Sequence, residues 1–264
     1  MNIYTKESLI EKFNEIAGFG FIPNARTGNH GGIGNTLEDL LGIEENNLPI
    51  PNASEWELKT QRLKTSALNT LFHIEPSPRA IKFIPNILLP MYGWQHKEAG
   101  KKYPLTEMSF RQTIHGNSPS DRGFRVVIDR ISHRVAISFN SNKVIEKHQE
   151  WLKSVKKRVG NLDELNPQPY WGFNDLEHKI GSKLHNCFFV QAEVKKINGL
   201  EHYWYKKVQM LETFSFEGFL NELEKGNVLV DFDARTGHNH GTKFRLRQNF
   251  YPNLYKKSKL IIDL

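Results

Sequence analysis

The chain has 264 residues, a formal net charge of +7 and a pI near 9.3, with 38% hydrophobic and 25% charged residues. These are the proportions of a globule of one large domain or two small ones and exclude a disordered chain. No apolar run approaches the ~18 residues needed to cross a bilayer, and the first residues lack a signal-peptide core, so a cytoplasmic location is expected.

Cys187 is the only cysteine and sits in an apolar run, which excludes an intrachain disulfide and a site built from several thiolates. The excess of lysine and arginine favours an anionic partner, because neutralising phosphates releases counterions. Many basic proteins nevertheless bind nothing anionic.

Leu9, Ile10, Phe13 and Ile16 recur at helical spacing and predict an amphipathic helix from Thr5 to Ala17, with Thr5 as its cap. A glycine-rich stretch, Thr27 to Gly34, precedes a short helix expected from Thr36 to Gly42 that carries Glu38. After a loop rich in asparagine and proline, residues Glu55 to Thr60 alternate as a strand, with Glu55, Glu57 and Lys59 on one face and Trp56, Leu58 and Thr60 on the other.

Phe124 to Phe139 predicts two strands around Asp129 and Arg130, and Asn142 to Val159 a lysine-rich helix whose charges read as a solvated face. The stretch from Asn161 to Tyr170 is a candidate separator of two lobes. Beyond it, strands are expected at Cys187–Val194 and His202–Met210 around an Asn198-Gly199 turn. A helix at Phe216–Lys225 and strands at Val228–Asp233 and Thr242–Arg247 follow. Together these describe a mixed α/β (α+β) protein.

Phosphodiester hydrolysis needs a metal to stabilise developing charge and a positioned water, so carboxylates and a lysine converging on one phosphate are the expected set. Two residues apart on a strand, Glu57 and Lys59 point the same way, so Glu57 is placed to hold Mg²⁺ and Lys59 to lie beside the attacking water. Taken alone, the triplet is also the ordinary pattern of a solvated strand face.

Three segments carry a resemblance: Gly34-Asn-Thr-Leu-Glu-Asp-Leu-Leu-Gly42, Glu44 to Asn47, and Pro51-Asn-Ala-Ser-Glu-Trp-Glu-Leu-Lys-Thr60. With Tyr170 to Leu176, the hairpin before Tyr203 and His238-Asn-His-Gly-Thr-Lys-Phe-Arg245, they make most of the chain similar to the MvaI/BcnI restriction endonucleases, relatives of the mismatch-repair nicking enzyme MutH. The resemblance implies a PD-(D/E)XK restriction-endonuclease-like fold, in which helices flank a mixed central sheet and a DNA-binding cleft lies between two lobes. It implies Mg²⁺ dependence and a monomer that cuts double-stranded DNA one strand at a time, with a cognate DNA methyltransferase in the host. A CCWGG-type site is the first expectation for its target. Approximate lobes of 1–160 for catalysis and 161–264 for recognition are expected.

The family pattern carries over onto Glu57 and Lys59, and onto Glu38 as the glutamate approaching the metal site from a neighbouring helix. The plainer alternative for Glu38 is a solvated helix charge. One position departs: the family's metal-binding aspartate follows the proline, and here Asn52 follows Pro51. An amide is a poorer Mg²⁺ ligand than a carboxylate. Three explanations stand open: an introduced change that traps uncut DNA, a natural enzyme with weakened metal binding, or replacement of the charge by Glu55.

Base readout in the major groove needs side chains that bond base edges. Arg235, His238, Asn239, His240, Lys243, Arg245 and Arg247 crowd one segment, and Asp231 and Asp233 just upstream are suited to accept from cytosine amino groups. A Zn²⁺ site at His238 and His240 is the bland alternative, but no cysteine accompanies them. Arg111, His115 and Asn117, with Arg122 and Arg125 downstream, resemble the family's other DNA-facing region, where phosphate contact is the expectation. Two further readings share these residues: a cleavage-deficient, sequence-specific DNA-binding protein, and a MutH-like repair nickase that leaves a stable nick.

Overall fold

The computed structural model describes residues 4–26, 32–43, 55–181 and 184–264. Helix α1 (Lys6–Gly18) is capped as its sequence predicts: the Thr5 hydroxyl accepts from the Ser8 amide, and the Ser8 hydroxyl accepts from the Thr5 amide. A short strand β1 (Ile22–Pro23) leads to α2 (Gly32–Leu41), which begins at Gly32 and not at Thr36. Thr36 is buried within the helix, where its hydroxyl accepts from the Ala25 amide at 3.3 Å, so it anchors the preceding chain instead of capping. Gly42 ends the helix with φ of 63°, a conformation glycine adopts at little cost.

Strand β2 (Glu57–Arg62) starts two residues later than Glu55, which is exposed and off the strand face. Strands β3 (Leu68–His73), β4 (Trp94–Gln95), β5 (Met108–Ile114), β6 (Arg122–Asp129) and β7 (Arg134–Val144) follow. The lysine-rich helix α3 spans Gln149–Val159, shorter than the expected start at Asn142, because β7 continues through pairing of Val144 with Arg122. Next come β8 (Tyr170–Gly172), α4 (Phe173–Ile180), and the long hairpin β9 (Asn186–Ile197) and β10 (Leu200–Phe214). Asn198 and Gly199 turn that hairpin with φ of 51° and 81°, the left-handed pair that matches strand twist. The chain ends with α5 (Phe216–Glu224), β11 (Val228–Arg235), β12 (His238–Asn239), β13 (Lys243–Arg247) and β14 (Tyr255–Asp263).

Contacts divide these elements into two units that are discontinuous in sequence. The first comprises Met1–Ala67, Ile180–Gly218 and Gln248–Leu264, the second Leu68–Lys179 and Phe219–Arg247. The stretch from Asn161 to Tyr170 lies inside the second unit. Long strand pairings bring segments far apart in sequence together, which no linker composition reveals.

In the first unit the strand order is β1-β10-β9-β2, with β14 also on β10. β2 runs parallel to β9 while the other pairs are antiparallel. Leu9, Phe13 and Ile16 of α1 and Ile33, Leu37 and Leu41 of α2 pack with Trp56, Leu58, Phe188 and Val190 on one face of this sheet. In the second unit, β3-β13-β11-β5-β4 form one sheet, with β12 on β11, and β6-β7-β8 form another. Its core is aromatic: Phe110 meets Phe124 and Phe232 at ring distances of 5.5 and 5.6 Å, and Phe244 meets Phe72 and Trp171 at 5.0 and 5.1 Å.

Candidate active site and nucleic-acid interface

Alternation along β2 sends its two sets of side chains to opposite faces. Trp56 and Leu58 enter the core beneath the helices, so Glu57, Lys59 and Gln61 share the other face. Glu57 is only 2% exposed, and Lys59 Nζ lies 2.7 Å from its Oε1. The Lys59 side chain keeps partial access to solvent, 16% exposed, while the carboxylate beside it is buried.

The parallel register sets Cys187 opposite Glu57, Phe189 opposite Lys59 and Gln191 opposite Gln61. Segment 248–254 supports this layer: Tyr251 stacks on Phe189 at 4.4 Å, and Gln191 Nε2 donates to Gln248 Oε1 at 3.3 Å. Gln61 and Gln248 donate to the carbonyls of Ala67 and Thr65 at 2.8 and 2.7 Å, tying the turn after β2 to the same layer. Burial pushes the Cys187 thiol up to about 12, with Lys59 opposing and Glu57 adding to the rise. Burial likewise raises Tyr251 and Tyr255 well above the usual phenol range. All three are neutral at ordinary pH. Cys187 is the packing residue its sequence context predicts.

Helix α2, which packs on the opposite face of β2, carries Glu38 half-buried. Glu55 instead lines a cavity of about 490 Å³ with Tyr4, Thr5, Lys6, Glu7, Trp56, Asn186 and Glu212. Asn52 lies outside the described residues. Among the described residues, no three His, Cys, Asp or Glu side chains converge to hold a metal. Glu57 offers a hard anionic oxygen, and one or two carboxylates are all that Mg²⁺ requires when it keeps several waters.

The base-contact candidates collect in the second unit. Asp231, Asp233 and Arg235 alternate on β11 with buried Val230, Phe232 and Ala234, so one sheet face is apolar and the other polar. On the polar face the charges interlock across strands. Arg111 of β5 and Lys243 of β13 lie 3.2 and 3.8 Å from Asp233. Arg245 lies 3.2 Å from Asp231, which also accepts from the Thr113 hydroxyl at 2.8 Å. Arg235 is held by Glu107 at 3.0 Å and lies 4.7 Å over the Tyr103 ring.

The segment from Arg235 to Thr242 folds back on the end of β11, where His238 and Asn239 pair as β12 with Arg235 and Ala234. Thr236 pairs with Met108, accepting from its amide at 2.9 Å and donating its own amide to the Met108 carbonyl at 3.1 Å. His238, Asn239 and His240 are exposed, and the two imidazoles meet edge to face at 4.2 Å. His115 follows β5, and burial together with the nearby Arg247 guanidinium holds its imidazole below the usual histidine range. Asn117 is exposed beside Gly226.

Arg122 and Arg125 each have a partner within the protein. Arg122 stacks 3.9 Å over Trp94, and Arg125 donates to the Gly116 carbonyl at 2.8 Å. Sequence reasoning missed Gln61, Glu75 and Glu107. Gln61 continues the two-residue spacing of Glu57 and Lys59 and was legible by that rule; Glu75 and Glu107 carry no local signal, because their partners are more than a hundred residues away in sequence.

A family model for the MvaI/BcnI restriction endonuclease family matches residues 10–255. Among solved structures, a complex of restriction endonuclease MvaI with its cognate DNA substrate is similar at 25% identity and a TM-score of 0.73, over 98% of this chain and 100% of that one. MvaI in the absence of DNA is similar at 25% identity and a TM-score of 0.56, over 99% of this chain and 100% of that one. No match was found among curated proteins. The family match spans nearly the whole chain, including both the β2 pair and the polar sheet, and the chain therefore belongs to the MvaI/BcnI restriction endonuclease family, as a site-specific deoxyribonuclease.

Proposed function

We propose that this chain is a Mg²⁺-dependent type II restriction endonuclease of the PD-(D/E)XK kind, cutting both strands of a short duplex site in turn as a monomer. The observation that carries the reading is the buried Glu57 carboxylate with the Lys59 ammonium 2.7 Å away on one strand face. Mg²⁺, when bound, would stabilise charge developing on the scissile phosphate. Glu57 would hold it, with the residue at position 52 as the second oxygen donor; Glu55, off the strand face, and Glu38, on α2 across β2, are the other carboxylates of the region. Lys59 orients the attacking water and holds it close to the phosphate.

Recognition is assigned to the polar face of the second unit. Arg111, His115, Asn117, Asp231, Asp233, Arg235, His238, Asn239, His240, Lys243 and Arg245 are the contact residues, with arginines suited to guanine and aspartates to cytosine amino groups. The interlocked ion pairs support this, because they fix those side chains before DNA arrives and reduce the ordering cost of binding. A CCWGG-type duplex is the first substrate to try, and a matching methyltransferase would protect the DNA of a host in whose cytoplasm the enzyme works.

Asn52 favours a second reading, a protein that binds its site without cutting it. Plasmid cleavage by the Asn52 chain and an Asn52→Asp variant, with Mg²⁺ or EDTA and with mapping of the ends, tests both. Linear product from either chain, dependent on Mg²⁺, supports the restriction reading. DNA binding with no product from either supports the binding-only reading, and a stable nick points to a repair nickase.

A further inference from the structure

We infer that Glu75 is a positioning residue for base readout, setting the conformation of the exposed His238-Asn239-His240 segment. The inference rests on the reading of that segment as a base-contacting element.

Glu75 follows β3 and is half-buried. Its Oε1 accepts from the Thr242 amide at 2.9 Å and from Asn239 Nδ2 at 3.4 Å, while Oε2 accepts from the Thr242 hydroxyl at 3.4 Å. Three donors on one carboxylate, from both ends of a four-residue loop, define the loop's shape as well as its attachment. The neighbouring Ile74 amide donates to the Thr242 carbonyl at 3.0 Å, so Thr242 is gripped on both its backbone groups. Asn239 passes the constraint on, because its Oδ1 accepts from the Gly241 amide at 3.0 Å.

The other root of the segment is fixed independently. Thr236 is paired to Met108, and Arg235 to Glu107. The His240 amide donates to the Asp233 carbonyl at 3.0 Å. What remains to be set is the return path from Asn239 to Thr242, and that is where Glu75 acts. His238 and His240 themselves have no contact with Glu75 that would make it a direct reader; they are exposed and packed on one another. Removing the carboxylate leaves the Asn239 side chain and the Thr242 amide to find other partners, so the histidines sample several orientations in place of one. Base discrimination depends on donor and acceptor placement, whereas phosphate attraction does not. The loss should therefore fall on sequence discrimination and spare non-specific affinity.

The test uses the full chain in a Lys59→Met background, so that binding is read without cleavage, and a pool of 30-base-pair duplexes with a randomised eight-base-pair centre. The parent protein selects its preferred duplex from the pool. Glu75→Ala, Glu75→Gln, His238→Ala and His240→Ala are then compared on that duplex, its single-base variants and an unrelated duplex. The expected result is a loss of about tenfold in discrimination for Glu75→Ala, a smaller loss for Glu75→Gln, which keeps one acceptor, and no weakening on the unrelated duplex. The unfolding midpoint should stay close to that of the parent. If Glu75→Ala is too unstable to purify, Glu75→Gln decides alone. Full discrimination in the Glu75 variants, with losses in the histidine variants, overturns the inference and leaves the recognition reading standing. Full discrimination in the histidine variants overturns the recognition reading of this segment, and the inference with it.

Discussion

Lys59 Nζ and Glu57 Oε1 lie 2.7 Å apart, an ion pair made between alternate residues of one strand, with the carboxylate 2% exposed and the lysine side chain 16% exposed. The asymmetry of burial separates the two residues energetically. Replacing Glu57 leaves an ammonium with a route to water; replacing Lys59 takes one ionic partner from a buried carboxylate, which costs more. Glu57→Gln and Lys59→Met should each lower cleavage at least about a hundredfold while leaving DNA binding intact. Lys59→Met should also unfold at the lower temperature of the two. Paired kinetic and thermal measurements check both, and equal melting with unchanged cleavage would remove the pair from catalysis.

Asp233 sits between Arg111 at 3.2 Å and Lys243 at 3.8 Å, so one carboxylate restrains two cations. Asp233→Asn should release both toward phosphates. Non-specific duplex affinity would rise, the salt dependence would steepen by roughly 0.9 in log–log slope for each added phosphate contact, and discrimination between duplexes would fall. Anisotropy titrations at several salt concentrations measure all three; weaker binding to unrelated DNA would show that Asp233 does not act as a restraint.

The parts of this architecture that were legible in the sequence are those decided locally. The α1 cap at Thr5, the Asn198-Gly199 turn and the alternation of Glu57, Leu58 and Lys59 all follow from neighbours a few residues apart. The start of α2 was misplaced because Thr36 has the chemistry of a cap but bonds to Ala25 across a loop. The two-unit division was hidden because β2 pairs with β9, and β3 with β13, each across more than a hundred residues. Glu75 and Glu107 are ordinary surface letters in the sequence, and only the fold gives them Thr242 and Arg235 as partners.

The turn after β5 offers a test of packing near the candidate interface. A methyl group on Gly116 would lie 2.0 Å from the Leu223 carbonyl oxygen, and backbone is on both sides of that contact. The chain must shift to admit it, which displaces His115 and Asn117 on either side. Overpacking of this kind typically costs about 1–3 kcal/mol, or several degrees in melting temperature for a chain of this size. Gly116→Ala should therefore melt several degrees lower, whereas Gly18→Ala, where nothing lies within 4 Å, should melt close to the parent. Equal melting of Gly116→Ala and the parent in a calorimetric scan would contradict this packing.

Three histidines of the second unit are held below their ordinary range: His115 by burial and Arg247, His148 by burial, Arg122 and Lys147, and His73 by burial, Lys243 and Lys179. Asp121 and Glu75 oppose the shifts of His148 and His73. The sign follows from proton counting. Below the unfolded value of about 6.5, the unfolded chain takes up protons that the folded chain still refuses, so acidification favours unfolding. Stability should be level above about pH 7.5, then fall as pH drops through 6.5 toward the lowered folded values. His115→Gln removes one contribution and should make that fall shallower, while leaving stability at pH 8 closer to the parent than at pH 5.5. Denaturant titrations of both chains across this range decide it: parallel curves would mean that His115 takes up its proton equally in both states. Held below its ordinary range, the His115 imidazole favours the neutral form, one donor and one acceptor, before DNA arrives. Its loss should accordingly alter the preferred duplex more than the salt dependence of binding.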